Sequence, residues 1–269
     1  MNAIVSLARR VARKLATRDD VPVSTDYKEV DTARARDVSQ ALRDSWRDAD
    51  LPERQRVVVD SELGQYRQGK PVAVFDALVE ILRFNIPGLH GARLLEIGCS
   101  SGYYSEVLAI KGIELHYEGC DYSEAFIALA RRLYPKVPFS VQDAVNLRFG
   151  AASFDIVVSG CCLLHIPEYE RAIAEAVRVS RRWVIFHRTP IMHFRGPITY
   201  TKKAYGVDTF EIHFNEQLLL RSFAQHGLRV VEANTHSISW EAAVSDALAM
   251  KTYLCEKSVS QESGQSNDR

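Results

Sequence analysis

The spacing of apolar residues changes character along this chain. Near the N-terminus Ile4, Leu7, Ala8, Val11 and Leu15 fall on one helical face, with Arg9, Arg10, Arg13 and Lys14 opposite. Residues 19–34 are polar and charged, with Pro22, and read as a linker. From Thr32 to Asn85 the period is mostly helical, with breaks at Asp50-Leu51-Pro52 and Gly69-Lys70-Pro71. Pro71 is placed to open a helix whose apolar face is Val74, Leu78, Ile81 and Leu82. From Arg93 short apolar runs alternate with helical stretches. Strands are expected at about 93–98, 114–120, 137–141, 154–159 and 182–187, and helices at about 103–111, 123–134 and 168–180. That alternation predicts an α/β fold with a mostly parallel sheet covered on both faces. Residues 188–212 break it with Pro190, Gly196, Pro197 and several aromatics, and read as an irregular insertion. Asn215 then caps a helix that Gly227 ends, and two strands follow at about 228–234 and 250–256. The serine-rich segment from Lys257 is expected to be disordered.

Charge and composition narrow the partners. Lys+Arg and Asp+Glu number 34 each in 269 residues, so no basic field draws in nucleic acid. The five cysteines have no Cys-x-x-Cys spacing, and neither a metal site nor a disulfide framework is expected. No apolar run approaches the ~20 residues of a membrane span, and no secretory signal is visible. A cytoplasmic protein is expected. Residues 1–18 read either as an interfacial helix giving peripheral membrane contact or as a helix packed on its own domain.

Chemistry concentrates at the strand ends. In Glu96-Ile97-Gly98-Cys99-Ser100-Ser101-Gly102 a buried strand passes through small residues into a helix. Such a turn lets backbone N–H groups approach a ligand closely. Glu96, two residues before Gly98, would repel a phosphate and welcome an ammonium group. Asp121, in Gly119-Cys120-Asp121-Tyr122-Ser123, can accept hydrogen bonds from two ribose hydroxyls, or serve with Ser123 as a plain helix cap. A third acid, Asp143, precedes Ala144, and could simply cap its loop. A fourth segment runs from Phe154-Asp155 through Ser159 and Gly160 to Leu164-His165-Ile166-Pro167.

Together these four segments resemble the class I S-adenosylmethionine-dependent methyltransferases, with Ser100 where that family has a middle glycine. The resemblance implies a Rossmann-like, mostly parallel seven-stranded sheet with one antiparallel strand, supplied by the final strand pair, plus an N-terminal helical extension. It implies S-adenosyl-L-methionine as cofactor, held by Glu96, Gly98, Cys99, Gly102, Asp121, Tyr122, Asp143, Ala144 and Ser159. Asp143 would meet the adenine amino group, and Ser159 and Gly160 would lie beside the transferred methyl. His165 and His187 are the candidate catalytic bases, with His193 and His213 as further candidates; His165 could instead only pack beneath the cofactor. The expected organisation is a basic helix (1–18), a helical lid and acceptor region (19–90), the cofactor domain (91–256, with 188–212 inserted) and a tail (257–269). No Asn-Pro-Pro-Tyr type segment follows the fourth strand, which argues against nucleic-acid amino methylation. A small-molecule, glycan or lipid-linked acceptor, methylated at oxygen, is expected. A non-catalytic cofactor-binding subunit and a nicotinamide-dependent oxidoreductase stay open, although Ser100 and Ser101 break the dinucleotide Gly-x-Gly-x-x-Gly spacing.

Overall fold

A computed structural model describes residues 23–241 and 246–258. The basic segment 1–18 and the tail from 259 lie outside the described residues. The chain begins with β1 (Ser24–Glu29), α1 (Ala35–Ala41), α2 (Leu51–Arg67) and α3 (Ala73–Asn85). Helix α3 opens two residues after Pro71, because the Asp76 carboxylate accepts the Val72 N–H (3.1 Å) and closes the first turn there. The alternating region supplies β2 (Arg93–Ile97), α4 (Tyr103–Ile110), β3 (His116–Asp121), α5 (Glu124–Leu133), β4 (Phe139–Val141) and β5 (Phe154–Gly160). It continues with α6 (Tyr169–Val179), β6 (Ser180–Met192), β7 (Ile198–Ala204), β8 (Val207–Asn215), α7 (Glu216–Gln225), β9 (Leu228–Glu241) and β10 (Asp246–Lys257).

The central sheet has the order β4-β3-β2-β5-β6-β10-β9. The first five of these strands pair in parallel, and β10 is antiparallel to both β6 and β9. Successive residues of each central strand face opposite layers: Leu94, Ile156 and Ile185 pack with α3 and α4, and Leu95, Val157 and Val184 with α6 and α7. Burial on both faces explains why these strands read as continuous apolar runs. No helix among the described residues is long and apolar enough to cross a membrane.

Two expectations are corrected. The segment read as an irregular insertion is regular: β6 runs on to Met192, and β7 and β8 form a hairpin hydrogen-bonded to the end of β6 through Ile191↔Phe214 and Met192↔Asn215. Its two-residue turn, Tyr205-Gly206, has both residues in the left-handed region (φ 49° and 85°), the conformation that matches the twist of paired strands. The linker reading fails as well, since residues 24–29 form β1 and pair with β7 (Ser24↔Ala204, Lys28↔Thr201). Both were hidden in the sequence for the same reason. Inward positions of this small sheet are filled by Lys202, Glu211 and His213, with Glu211 in contact with both of the others, so no apolar alternation shows.

Candidate active site

Ligands in open α/β sheets bind beyond the carboxyl ends of the strands. Here a cavity of about 610 Å³ opens at those ends. Its floor is the β2–α4 turn with Asp121 and Gly160; its walls are Trp46 in the short 3-10 helix Ser45–Arg47, the α2 residues Gln55, Val58 and Glu62, and the β7–β8 hairpin. The N-terminal helices and the former insertion thus close over the sheet from two sides.

The turn after β2 winds through alternating left-handed residues: Gly98 (φ 72°), Ser100 (φ 53°) and Gly102 (φ 74°). Any Cβ at Gly102 would overlap the Phe139 ring, so glycine is required for space as well as for conformation. Ser100, the residue departing from the family pattern, is held in its left-handed conformation because its N–H donates to Asp121 Oδ2 (3.0 Å). Its hydroxyl also donates to Gln55 Oε1, tying the turn to α2. Such successive N–H groups form a concave cradle for a polar ligand. Among the described residues the buried Ser101 hydroxyl has no hydrogen-bond partner. These features fit a nucleoside-type cofactor.

Asp121 lies at the end of β3 and borders the cavity. Its Oδ1 accepts the Ser123 N–H (3.0 Å), while the α5 cap is the Ser123 hydroxyl, accepting from Phe126 N (3.5 Å). The carboxylate therefore keeps lone pairs for the cavity. Burial pushes its pKa up to about 6, against the pull of those backbone donors. Tyr122, Asp143 and Ala144 also border the cavity. The Tyr122 hydroxyl donates to the Arg43 carbonyl (2.8 Å), and Arg47 lies over its ring (5.0 Å). Asp143 pairs with the Arg43 guanidinium (2.5 Å), a partner on the segment after α1 that sequence reasoning did not supply.

Of the predicted cofactor residues, Gly98, Asp121, Tyr122, Asp143 and Ala144 border the cavity, and Glu96, Cys99, Gly102 and Ser159 do not. Glu96 is 2% exposed, accepts from the Tyr117 hydroxyl and lies so close to Gly160 that a Cβ there would overlap its carboxylate. Burial drives its pKa up to about 8, against the Tyr117 hydrogen bond. Cys99 is fully buried, and the Ser159 hydroxyl meets Cys162 Sγ (3.2 Å). The structure also separates the two candidate bases. His165 borders the cavity, whereas His187 is buried between the Tyr104 hydroxyl (2.6 Å) and Thr252 Oγ1 (2.7 Å). A bulge in β6 opposite Lys251–Tyr253 leaves His187 facing α4. His193 lies beside Glu216 (3.1 Å), away from the cavity, and His213 is buried against Glu211 (2.9 Å).

His165 Nδ1 donates to the Phe210 carbonyl (2.6 Å), a pure acceptor, so the neutral ring carries its lone pair on Nε2. Burial and the nearby Lys202 charge lower its pKa to about 4, and Trp46 packs over it (centroids 4.7 Å). Behind it lies a buried polar group. Lys202 Nζ donates to Ser24 Oγ (3.1 Å), Tyr27 Oη (3.4 Å) and Glu211. Burial opposes ionisation of Glu211, but the His213 hydrogen bond and the Lys202 charge overcome it and hold that carboxyl well below its usual range. Sequence reasoning missed Trp46, Gln55, Glu62, Lys202 and Glu211; a lone tryptophan in the polar stretch Asp44-Ser45-Trp46-Arg47-Asp48 was the available signal.

Residues 95–186 match the methyltransferase domain family. The chain is 34% identical over 122 residues to norajmaline N-methyltransferase of Rauvolfia serpentina, covering 42% of this chain and 41% of that one. It is 30% identical over 91 residues to demethylmenaquinone methyltransferase of Paenarthrobacter aurescens (34% and 35%). It is 36% identical over 95 residues to phthiotriol/phenolphthiotriol dimycocerosates methyltransferase 1 of Mycobacterium ulcerans (35% of each). The chain thus spans about two fifths or less of the length of these curated relatives. In fold it is similar to magnesium protoporphyrin IX methyltransferase of Synechocystis with bound S-adenosylmethionine, with a TM-score of 0.56, 17% identity and coverage of 82% and 97%. A Burkholderia thailandensis 1,6-didemethyltoxoflavin-N1-methyltransferase gives TM-score 0.56 at 15% identity, covering 91% and 100%. Residues 95–186 thus match the methyltransferase domain family, and the sheet order carries them on a fold similar to that of the solved S-adenosylmethionine-dependent methyltransferase.

Proposed function

We propose that the protein transfers a methyl group from S-adenosylmethionine to an oxygen of a small-molecule, glycan or lipid-linked acceptor held under the N-terminal helices and the β7–β8 hairpin. The observation that carries this reading is the continuity of the cavity: one space runs from Asp121 and Asp143 to His165, Arg188 and Tyr205. A single site can therefore hold both reactants in line, and alignment is the main demand of methyl transfer. When bound, the cofactor supplies an electrophilic methyl on a cationic sulfur.

The remaining work falls to the chain. Asp121 is placed to accept ribose hydroxyls, and Asp143 and Ala144 to meet the adenine edge once Arg43 yields or shares its carboxylate. Trp46, Val58 and the hairpin exclude water from the acceptor side. His165, neutral with Nε2 as its acceptor atom, is the base available to a hydroxyl. Its pKa of about 4 suits an acidic hydroxyl, such as a phenol or enol, better than an aliphatic alcohol. His187 has no route to the acceptor and is assigned to packing. Residues 19–90 and the hairpin are read as the acceptor-specifying region.

Calorimetry with S-adenosylhomocysteine and with NAD, followed by release of S-adenosylhomocysteine against an acceptor panel, tests the reading. Binding of the former and turnover with a hydroxylated acceptor are expected. NAD binding more tightly than S-adenosylhomocysteine would overturn it. Tight cofactor binding with no turnover on any acceptor would favour a non-catalytic subunit.

A further inference from the structure

One charged group in the cavity has no task in cofactor binding. Arg188 stands at the carboxyl end of β6, one residue beyond the Gly160↔His187 pair, and so beside the exit of β5. The bulge opposite Lys251–Tyr253 sets it in the left-handed region (φ 58°), and its backbone N–H is taken by Thr252 Oγ1 (3.3 Å). Bulges of this kind re-aim a side chain. Arg188 borders the cavity together with Tyr103, Cys161 and Glu62. Among the described residues Arg188 enters no ion pair, unlike Arg43, Arg56 and Arg67.

From this geometry we infer that Arg188 binds a carboxylate on the methyl acceptor, and that the acceptor is an apolar or aromatic carboxylic acid. The inference rests on the methyltransferase reading and names its substrate class. A guanidinium presents a planar fork of donors matching a carboxylate, and Tyr103 and Tyr205 border the same cavity. A phosphate dianion fits less well. Of the other two cations lining the cavity, Arg43 is paired with Asp143 and Lys202 already has its three donors on Ser24, Tyr27 and Glu211, while Glu62 adds negative charge to the same wall. The body of the acceptor would lie against Trp46, Val58, Leu248 and Met250, which favours an apolar or aromatic frame over a sugar. The competing role for Arg188 is to offset nearby carboxylate charge in the fold, with no contact to ligand.

Benzoate and its neutral isostere benzamide are the probes, titrated into full-length protein with and without saturating S-adenosylhomocysteine. Saturable benzoate binding at least tenfold tighter than benzamide is expected, and Arg188→Met should remove that preference while leaving S-adenosylhomocysteine affinity within twofold. Arg188→Lys should retain part of it. Equal affinity for the two probes, or no benzoate binding, would overturn the inference on the wild-type protein alone, whatever the variants' stability. Unchanged benzoate preference in a folded Arg188→Met protein would assign Arg188 to charge balance. Failure of S-adenosylhomocysteine to bind would count against the methyltransferase reading, while the benzoate and benzamide comparison without it still decides the role of Arg188.

Discussion

Glu96→Gln is expected to flatten the pH dependence of stability. Glu96 sits under the cradle with its pKa pushed from 4.5 up to about 8 by burial. A raised carboxyl pKa means that the folded state holds its proton where the unfolded chain releases it. Stability is then fully present below pH 4.5 and is lost as pH rises toward 8, at ~1.4 kcal/mol per pH unit. Between pH 5.5 and 7.5 the wild type should lose about 2.5 kcal/mol relative to a variant that cannot ionise there. Glutamine matches the protonated acid in shape and still accepts the Tyr117 hydroxyl. Asp121, raised to about 6, adds its own slope in both proteins, and its charge also contributes to the upward shift of Glu96. Urea unfolding at pH 5.5, 6.5 and 7.5, read by tryptophan fluorescence, gives the difference. A gap between the two proteins that stays constant across those pH values would refute the reasoning, and would mean that Glu96 reaches solvent or ionises freely in the fold.

Asp121→Ala should weaken S-adenosylhomocysteine binding by about 1–3 kcal/mol, the range for leaving hydrogen-bonding groups unpaired; an unchanged calorimetric affinity with a collapsed melting temperature would make it a fold residue alone. Gly160→Ala forces a Cβ onto the Glu96 carboxylate and should destabilise by about 1–3 kcal/mol, the usual cost of overpacking, which thermal melts would register; Gly160→Ala combined with Glu96→Ala should recover much of the loss. His165→Gln should lower kcat at least tenfold on a hydroxyl acceptor and leave cofactor affinity intact. With a titration near pH 4 its wild-type activity should show no histidine limb between pH 5.5 and 8, and a rise of kcat through pH 6.5 would contradict that assignment.

The sheet was legible because its strands are buried on both faces and carry uninterrupted apolar runs, so the strand ends could be placed from spacing, and the family resemblance singled out the acid beyond each. Asp121 and Asp143 reach the cavity for that reason. Glu96 was legible in position but not in environment. Its burial depends on Tyr117 from β3 and on the missing side chain of Gly160 from β5, neighbours that only strand pairing brings together. The β7–β8 hairpin and β1 escaped notice because a lysine, a glutamate and a histidine satisfy one another where apolar residues would ordinarily mark an inward face. His187 shows the limit of strict alternation: one bulged position decides which of two adjacent residues, His187 or Arg188, borders the cavity.

Strain around the cavity follows a single scheme. Ser100, Cys161, Arg188 and Tyr205 are non-glycine residues in the left-handed region, and all four border the cavity. Each such conformation costs on the order of 1–3 kcal/mol and persists only where surrounding structure fixes it. In every case a group from another element takes the strained N–H: Asp121 for Ser100, the His187 carbonyl for Cys161, Thr252 for Arg188 and the Val23 carbonyl for Tyr205. Local sequence preference opposes these conformations, and tertiary hydrogen bonds impose them. The shape of the cavity is therefore a property of the assembled sheet, and substitutions at the acceptor groups, Thr252 among them, should alter ligand geometry even where core packing is left untouched.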